Sequence, residues 1–190
     1  MLGRLLQFIT RRDGAIAVEF AFVAPVMIGM FFGLTELALA LGVHADVINL
    51  SSVGSDLVSQ ESTITTSDMT NVFSALSAML YPYSTTPAQI TMSSVIDNNT
   101  ATSGKVAWSC TQGGTARTAN STYTFPTAAQ GVITSGGGGS VIMTEVSYSY
   151  SLPVTINIPG IINLSGPYAM SSTFYSKPRR VAQIPGATCP

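Results

Sequence analysis

Glu19 is an acid inside the most apolar part of the chain, the run from Gly14 to Val43. An ionised carboxylate in hydrocarbon costs about 2.5–3.5 kcal/mol by insertion scales, so such a residue usually marks a partner or a pathway. Ala15 precedes Glu19 by four residues and shares its face of a helix. Cleavage between Gly14 and Ala15 would create an α-amino group on that face. The amine and the carboxylate could then neutralise each other, within one subunit or between neighbours.

The run from Gly14 to Val43 is long enough to span a membrane, since a bilayer core of roughly 30 Å needs about 20 apolar residues. Only Glu19, Thr35 and Glu36 interrupt it, and a short basic leader with three arginines precedes it. Arginines on this side predict a cytoplasmic N-terminus. Glu36 is then expected at the outer interface, in contact with solvent.

The same residues are compatible with three alternatives. Glu19 could simply lie at headgroup depth, beside Arg11 or Arg12. The segment could be an anchor that is never cleaved. It could also be a secretory signal cut after Ala40, although its apolar run is nearly twice the usual 7–15 residues.

Within the segment, Pro25 removes one backbone donor and should loosen or kink the helix. Gly29 and Gly33 form a small-xxx-small face that would let another helix approach closely.

The stretch from Asp13 to Pro25, with Gly14, Ala15, Glu19 and Phe20, resembles the TadE-like pseudopilins of the tight-adherence (Flp) pilus system. The resemblance implies a pilin-like protein whose Gly14–Ala15 bond is cut by a prepilin peptidase. It also implies that Glu19, Phe20, Pro25, Gly29 and Gly33 act in assembly of an adhesive pilus. Lys177-Pro178-Arg179-Arg180 resembles the family's C-terminal signature, and taken alone it indicates a solvated edge.

The resemblance further implies the location and the partners of the protein. We expect a single-pass protein of the bacterial inner membrane, with its C-terminal domain in the periplasm and with possible incorporation in the surface pilus. The implied partners are the prepilin peptidase, other pseudopilins, the major Flp-type pilin, the inner-membrane assembly platform and membrane lipid. No cofactor is expected. The rival functions are an uncleaved envelope scaffold or adhesin and a secreted domain.

The pattern predicts an α+β fold in three parts: a leader (1–14), a membrane and spine helix (15–60) and an α+β domain (61–190). Past the membrane the spine helix should become amphipathic, and a short helix is expected at Asp68–Leu80 with Ser67 as its N-cap. The predicted antiparallel strands are Gln89–Ile96, Lys105–Thr111, Val141–Ser151 and Tyr168–Ser176, with a further one in Leu152–Ile158. The apolar stripe expected on the amphipathic half comprises Val47, Leu50, Val53, Leu57 and Val58. The short helix is expected to bury Val72, Phe73, Leu76, Met79 and Leu80. The connections 97–104 and 111–139 are expected to be polar and at the surface.

Composition argues against several functional classes. A net charge of −1, with 9% charged residues, provides no basic stripe for nucleic acid. His44 is the single histidine, and the acids show no metal-ligand spacing, so we expect neither a catalytic site nor a metal site. Cys110 and Cys189 are candidates for one disulfide; two unrelated buried thiols are the alternative, because sequence does not fix connectivity.

Overall fold

The computed structural model describes residues 12–133, 136–152, 156–158, 162–164, 166–184, 186 and 188–190. Residues 1–11 of the predicted leader (1–14) therefore lie outside the described residues. The chain divides into two compact units, an N-terminal unit up to Leu41 and a C-terminal unit, Gly42–Pro190. The fold is α+β, with a long apolar helix, a second short helix and an antiparallel sheet.

Helix α1 is continuous from Arg12 to Ser59 and contains Pro25. Within the C-terminal unit, four of its apolar side chains are buried: Val43, Val47, Leu50 and Val58. The predicted stripe was partly wrong, because Leu57 is exposed and Val53 is only half-buried. Small residues take their place on the buried face, namely Ser51, Gly54, Ser55 and Ser59. Their size lets the helix lie close to the sheet.

Helix α2 runs from Thr66 to Met79 and begins with a capping box. The predicted N-cap, Ser67, was wrong. The cap is Thr65, whose hydroxyl accepts from the Asp68 backbone N–H while the Asp68 carboxylate accepts from the Thr65 backbone N–H. Of the residues predicted to be buried here, Phe73, Leu76 and Leu80 are buried. The prediction was wrong for Met79, which is exposed, while Val72 is half-buried and Met69 is buried instead.

The described strands are β1 (Ala88–Asp97), β2 (Ser103–Gln112), β3 (Thr122–Thr124), β4 (Ser140–Tyr150), β5 (Ile156–Ile158), β6 (Ile162–Leu164) and β7 (Tyr168–Ser176). The main sheet has five antiparallel strands in the order β3-β2-β1-β4-β7. Its four long strands were all predicted, within a few residues at each end. A separate two-stranded ribbon pairs β5 with β6 and lies between β4 and β7 in the chain. Residues 153–155 of the predicted Leu152–Ile158 strand lie outside the described residues.

One face of the sheet packs against the helices, and one end of the other face carries a second core. There the side chains of Val95, Phe125, Ala129, Ile133 and Val141 form a buried cluster. Three of these residues come from the connection 111–139, which was predicted to be a polar surface loop. That prediction was wrong, because the segment includes β3 and a short 3₁₀ helix, Thr127–Ala129, which fold its few apolar residues inward.

The C-terminal tail is tied to the sheet and to α1. Cys189 forms a disulfide with Cys110 of β2, and the Trp108 indole N–H donates to the Ile184 carbonyl at 3.2 Å. Arg179 was predicted to lie on a solvated edge, and its side chain is exposed. It also forms an ion pair with Asp56, and its backbone N–H donates to the Ser59 carbonyl at 2.9 Å. A cation and a donor at the C-terminal end of α1 stabilise that end through the helix dipole.

Candidate functional site: the exposed face of helix α1

The residues from Gly14 to Gly33 all belong to α1, so the helix fixes their relative directions. At about 100° per residue, Ala15, Phe22, Val26, Gly29 and Gly33 lie roughly 20–80° to one side of Glu19 around the helix axis. We call these six residues the glutamate face. It extends over about 27 Å of helix. Phe22 and Val26, which the sequence reasoning did not single out, fill the gap between the acid and the two glycines.

Phe20 and Pro25 point elsewhere. They lie about 100° and 120° from Glu19 on opposite sides, so neither belongs to the glutamate face. Pro25 leaves the Ala21 carbonyl without its usual donor from the backbone. The polar side chain of Thr35 has a hydrogen-bond partner within the same helix, since its hydroxyl donates to the Phe31 carbonyl at 2.9 Å.

Apolar side chains in this part of α1 are exposed in the single chain. Phe22 is 76% exposed, and Phe20, Val26 and Leu34 each exceed half. A Cβ added at Gly29 or Gly33 would meet no heavy atom of the described chain within 4 Å. Soluble monomers rarely expose so large an apolar surface. This helix is long and apolar enough to cross a membrane.

Glu36 differs from the prediction made for it. It is buried, with 3% of its surface exposed, and not solvated. The position of Glu36 along the helix predicts its depth in a bilayer, but it does not predict whether the side chain is buried. Glu36 precedes the buried Val43 by seven residues, two helical turns along nearly the same line.

The described residues contain no group of three or more His, Cys, Asp or Glu side chains that could hold a metal ion. His44 is exposed on α1. Arg117 and Glu145 form a half-buried ion pair with two hydrogen bonds of 2.6 and 2.9 Å. Arg117 also stacks over the Tyr123 ring, 4.8 Å from its centroid. This geometry holds the loop that follows β2 onto the sheet and offers no nucleophile.

Residues 14–56 match the family model for the TadE-like protein. Residues 14–56 of this chain are therefore a TadE-like segment. The match includes the glutamate face and the buried Val43, Val47 and Leu50 of α1. It supports the resemblance predicted from the sequence. Neither the curated proteins nor the solved structures provide a match.

The TadE-like match suggests involvement in the Tad pilus, with other pilus components as partners. Members of this family are structural proteins and not enzymes. The apolar N-terminal helix suggests membrane anchoring in such a system. Residues 57–190, with α2 and the whole sheet, lie outside the match.

Proposed function

We propose that this chain is a pseudopilin or minor pilin of a tight-adherence pilus. In this proposal a prepilin peptidase cuts the chain after Gly14, while the leader is cytoplasmic and the C-terminal unit is periplasmic. The freed helix then leaves the lipid and packs against the helices of other pilins. The observation that carries the proposal is the exposed glutamate face of α1 within the TadE-like segment.

The proposed cleavage site suits a peptidase. Gly14 lies two residues after Arg12, the first described residue of α1. Glycine costs a helix about 1 kcal/mol relative to alanine. Local opening of the helix at Gly14 is therefore less costly than at an alanine, and it would present an extended peptide bond to the enzyme.

The glutamate face suits assembly. After cleavage, the α-amino group of Ala15 and the carboxylate of Glu19 would be one turn apart on the same face. A neighbouring subunit that presents its own Ala15 amine could pair with Glu19 and remove the cost of a charge in an apolar bundle. Gly29 and Gly33 would let that neighbour's backbone approach closely.

Glu19→Leu tests the pairing role. We expect cleavage to be retained and piliation to fall strongly, as counted by electron microscopy of a strain that carries the variant. Thr35→Val is the matched control, because it also removes a polar group from the apolar segment, but one that is bonded within its own helix. Equal piliation in the two variants would remove the proposed role of Glu19.

Gly14→Arg tests the recognition role. We expect full-length precursor to accumulate in membranes, visible as a larger band on immunoblots. Normal processing of this variant would count against Gly14 as the element that the peptidase reads.

A further inference from the structure

Strand β7 forms one outer edge of the main sheet, since it pairs with β4 and with no other described strand. It has nine residues, and the sequence from Tyr168 to Ser176 contains no Asp, Glu, Lys, Arg or Pro. Its register with β4 is constant, so no bulge interrupts it. The strand at the opposite edge, β3, has only three residues. Native sheets usually protect a long edge with charges, proline or bulges, because unpaired backbone groups there can bind another chain.

The hydrogen-bond pattern identifies the backbone groups of β7 that point outward. The Asp97 N–H donates to the Gly139 carbonyl at 3.0 Å, so these two residues form a hydrogen-bonded pair where β1 meets the start of β4. Such pairs alternate with non-hydrogen-bonded pairs in an antiparallel ladder. Odd-numbered residues of β4 therefore bond to β1, and even-numbered residues bond to β7. By the same register, the even-numbered residues of β7 bond to β4. The odd-numbered residues point outward, and we call them the edge residues: Ala169, Ser171, Thr173 and Tyr175.

The edge residues are accessible. The side chains of Ala169, Ser171 and Thr173 are exposed on the face of the sheet that points away from α1. Tyr175 is half-buried, because its hydroxyl is hydrogen-bonded to that of Tyr123 at 2.7 Å. Among the described residues, none forms a backbone hydrogen bond with the outward N–H and C=O groups of these four. The edge therefore has both the room and the free backbone groups that an added strand needs.

Two half-exposed apolar side chains lie where α1 passes β7. The Ser51 and Ser172 hydroxyls are 2.8 Å apart, and the Ser55 hydroxyl donates to the Phe174 carbonyl at 3.1 Å. Even-numbered side chains of β7 therefore face α1. Phe174 is one of these, and it is 44% exposed. Ile48 precedes Ser55 by seven residues, two turns along nearly the same line of α1, and it is 45% exposed. A strand added beside β7 would lie next to both apolar groups.

A single cation stands at the end of this uncharged edge. Lys177 directly follows β7 and is exposed. It forms no ion pair with a described residue. Continued alternation along the strand directs its side chain to the same face as that of Thr173. An acid opposite Lys177 on an added strand would form a stabilising cross-strand pair.

We propose that the outer edge of β7 binds an extended segment of another protein as a sixth, antiparallel strand of the sheet. In this mode of recognition, main-chain hydrogen bonds give affinity and alternate side chains give specificity. The segment has an acid at its amino end, opposite Lys177. After the acid, apolar residues directed toward Ile48 and Phe174 alternate with small polar residues. The β7 strand of a second copy fits this description less well, because it contains no acid. The inference goes beyond the proposed function and requires neither cleavage nor membrane anchoring.

Peptide binding to the full-length chain in detergent micelles tests the proposal. The probes are fluorescein-labelled nonapeptides that begin with aspartate and then alternate an apolar residue (valine, isoleucine or phenylalanine) with threonine. One control set exchanges the apolar residues with the threonines, which directs the apolar side chains to the other face of the sheet. A second control set begins with lysine instead of aspartate. We expect at least one probe to bind with a Kd below about 1 mM, and its two controls to bind at least about fivefold more weakly. Absence of binding by every probe, or equal binding by the controls, would overturn the proposal.

Two pairs of measurements on variants locate the binding at the edge. Thr173→Pro removes an outward N–H, which β4 does not use, and Thr173→Ala keeps it. We expect the proline variant to bind the best probe at least about fivefold more weakly, and the alanine variant to stay within about twofold of the wild type. Thermal unfolding followed by the fluorescence of the buried Trp108 shows whether the proline variant is folded. Lys177→Glu, at an exposed position, should reverse the preference between the aspartate and lysine peptides. An unchanged preference, or equal affinity of the two Thr173 variants, would contradict the proposal.

Amide hydrogen exchange of the wild-type protein gives a readout that needs no variant. On binding of the best probe, the N–H groups of the edge residues should exchange at least about tenfold more slowly. The even-numbered residues of β7, which are already bonded to β4, should change little. Slowing in neither set, or equal slowing in both, would overturn the proposal. So would cross-linking of two copies through β7 in the absence of peptide, since this would identify a second copy as the occupant.

Discussion

Gly54 lies at a close contact between α1 and the rest of the C-terminal unit. A Cβ at this position would lie 3.0 Å from Thr144 Cγ2, 3.1 Å from Leu76 Cδ1 and 3.1 Å from Met92 Cε. The contact joins α1 to α2 and to the central strands β1 and β4. Gly54→Leu would place four carbon atoms where even the first is crowded on three sides.

The expected cost follows from two opposing effects. Overpacking a core costs typically 1–3 kcal/mol, and three simultaneous contacts favour the upper part of this range. Replacement of glycine by leucine in a helix recovers somewhat less than about 1 kcal/mol. We therefore expect the free energy of unfolding to fall by about 2 kcal/mol, which for a domain of this size lowers the melting temperature by about 4–8 °C.

The assay is thermal unfolding of the detergent-solubilised chain, followed by the fluorescence of Trp108. This residue is buried and hydrogen-bonded to Ile184, so its signal reports the C-terminal unit. Gly42→Leu is the control, because a Cβ there meets no heavy atom of the described residues within 4 Å. Melting of Gly54→Leu within about 1 °C of Gly42→Leu would refute the claim that close packing at Gly54 holds α1 against the sheet.

Three further predictions concern the sheet. Gly104→Ala should lower the free energy of unfolding by about 1–3 kcal/mol, because its Cβ would lie 2.6 Å from the Ile96 carbonyl oxygen, which belongs to the backbone and cannot turn aside. Cys110→Ser should lower it by roughly 4 kcal/mol on chain-entropy grounds, since the disulfide closes a sequence separation of 79 residues. Burial and a hydrogen bond with a neighbouring tyrosine raise the pKa of Tyr175 in the folded chain. The hydroxyl of Tyr175 therefore loses its proton at a lower pH in the unfolded chain than in the folded chain. As a result, the free energy of unfolding should fall above about pH 10.

Urea titrations check these three predictions. For Gly104→Ala the control is Gly139→Ala, where an added Cβ has a single contact at 4.0 Å; equal midpoints would contradict the packing claim. For Cys110→Ser, a midpoint equal to that of the oxidised wild type would show that the disulfide adds no stability. For Tyr175→Phe, the alkaline loss between pH 10 and 12 should be smaller than in the wild type, and an unchanged loss would assign it to other groups.

Much of the fold could be read from the sequence because its signals are strong and local. An uninterrupted apolar run with two widely spaced acids predicts a long helix, and α1 ends within one residue of the expected Gln60. Alternation of apolar and polar residues located the long strands. The glutamate face also follows from helical spacing alone, once α1 is known to be continuous from Ala15 to Gly33.

Other features depend on contacts that no local pattern reveals. Phe125 and Ile133 stand among polar residues, so their burial in a second core was missed. Leu57 was expected in the stripe of α1, but close approach to the sheet selected small residues such as Ser55 in its place. The alignment of β7 with α1, in which the Ser172 and Ser51 hydroxyls lie 2.8 Å apart, required the tertiary structure.

The central claim is that the chain is a prepilin whose bond after Gly14 is cut. Intact-mass measurement of the protein from membranes of cells with an active prepilin peptidase tests it most directly. The account predicts a mature chain that begins at Ala15, together with full-length precursor when the peptidase is deleted. A chain that begins at Met1 in the presence of the peptidase, or at Leu41, would contradict it.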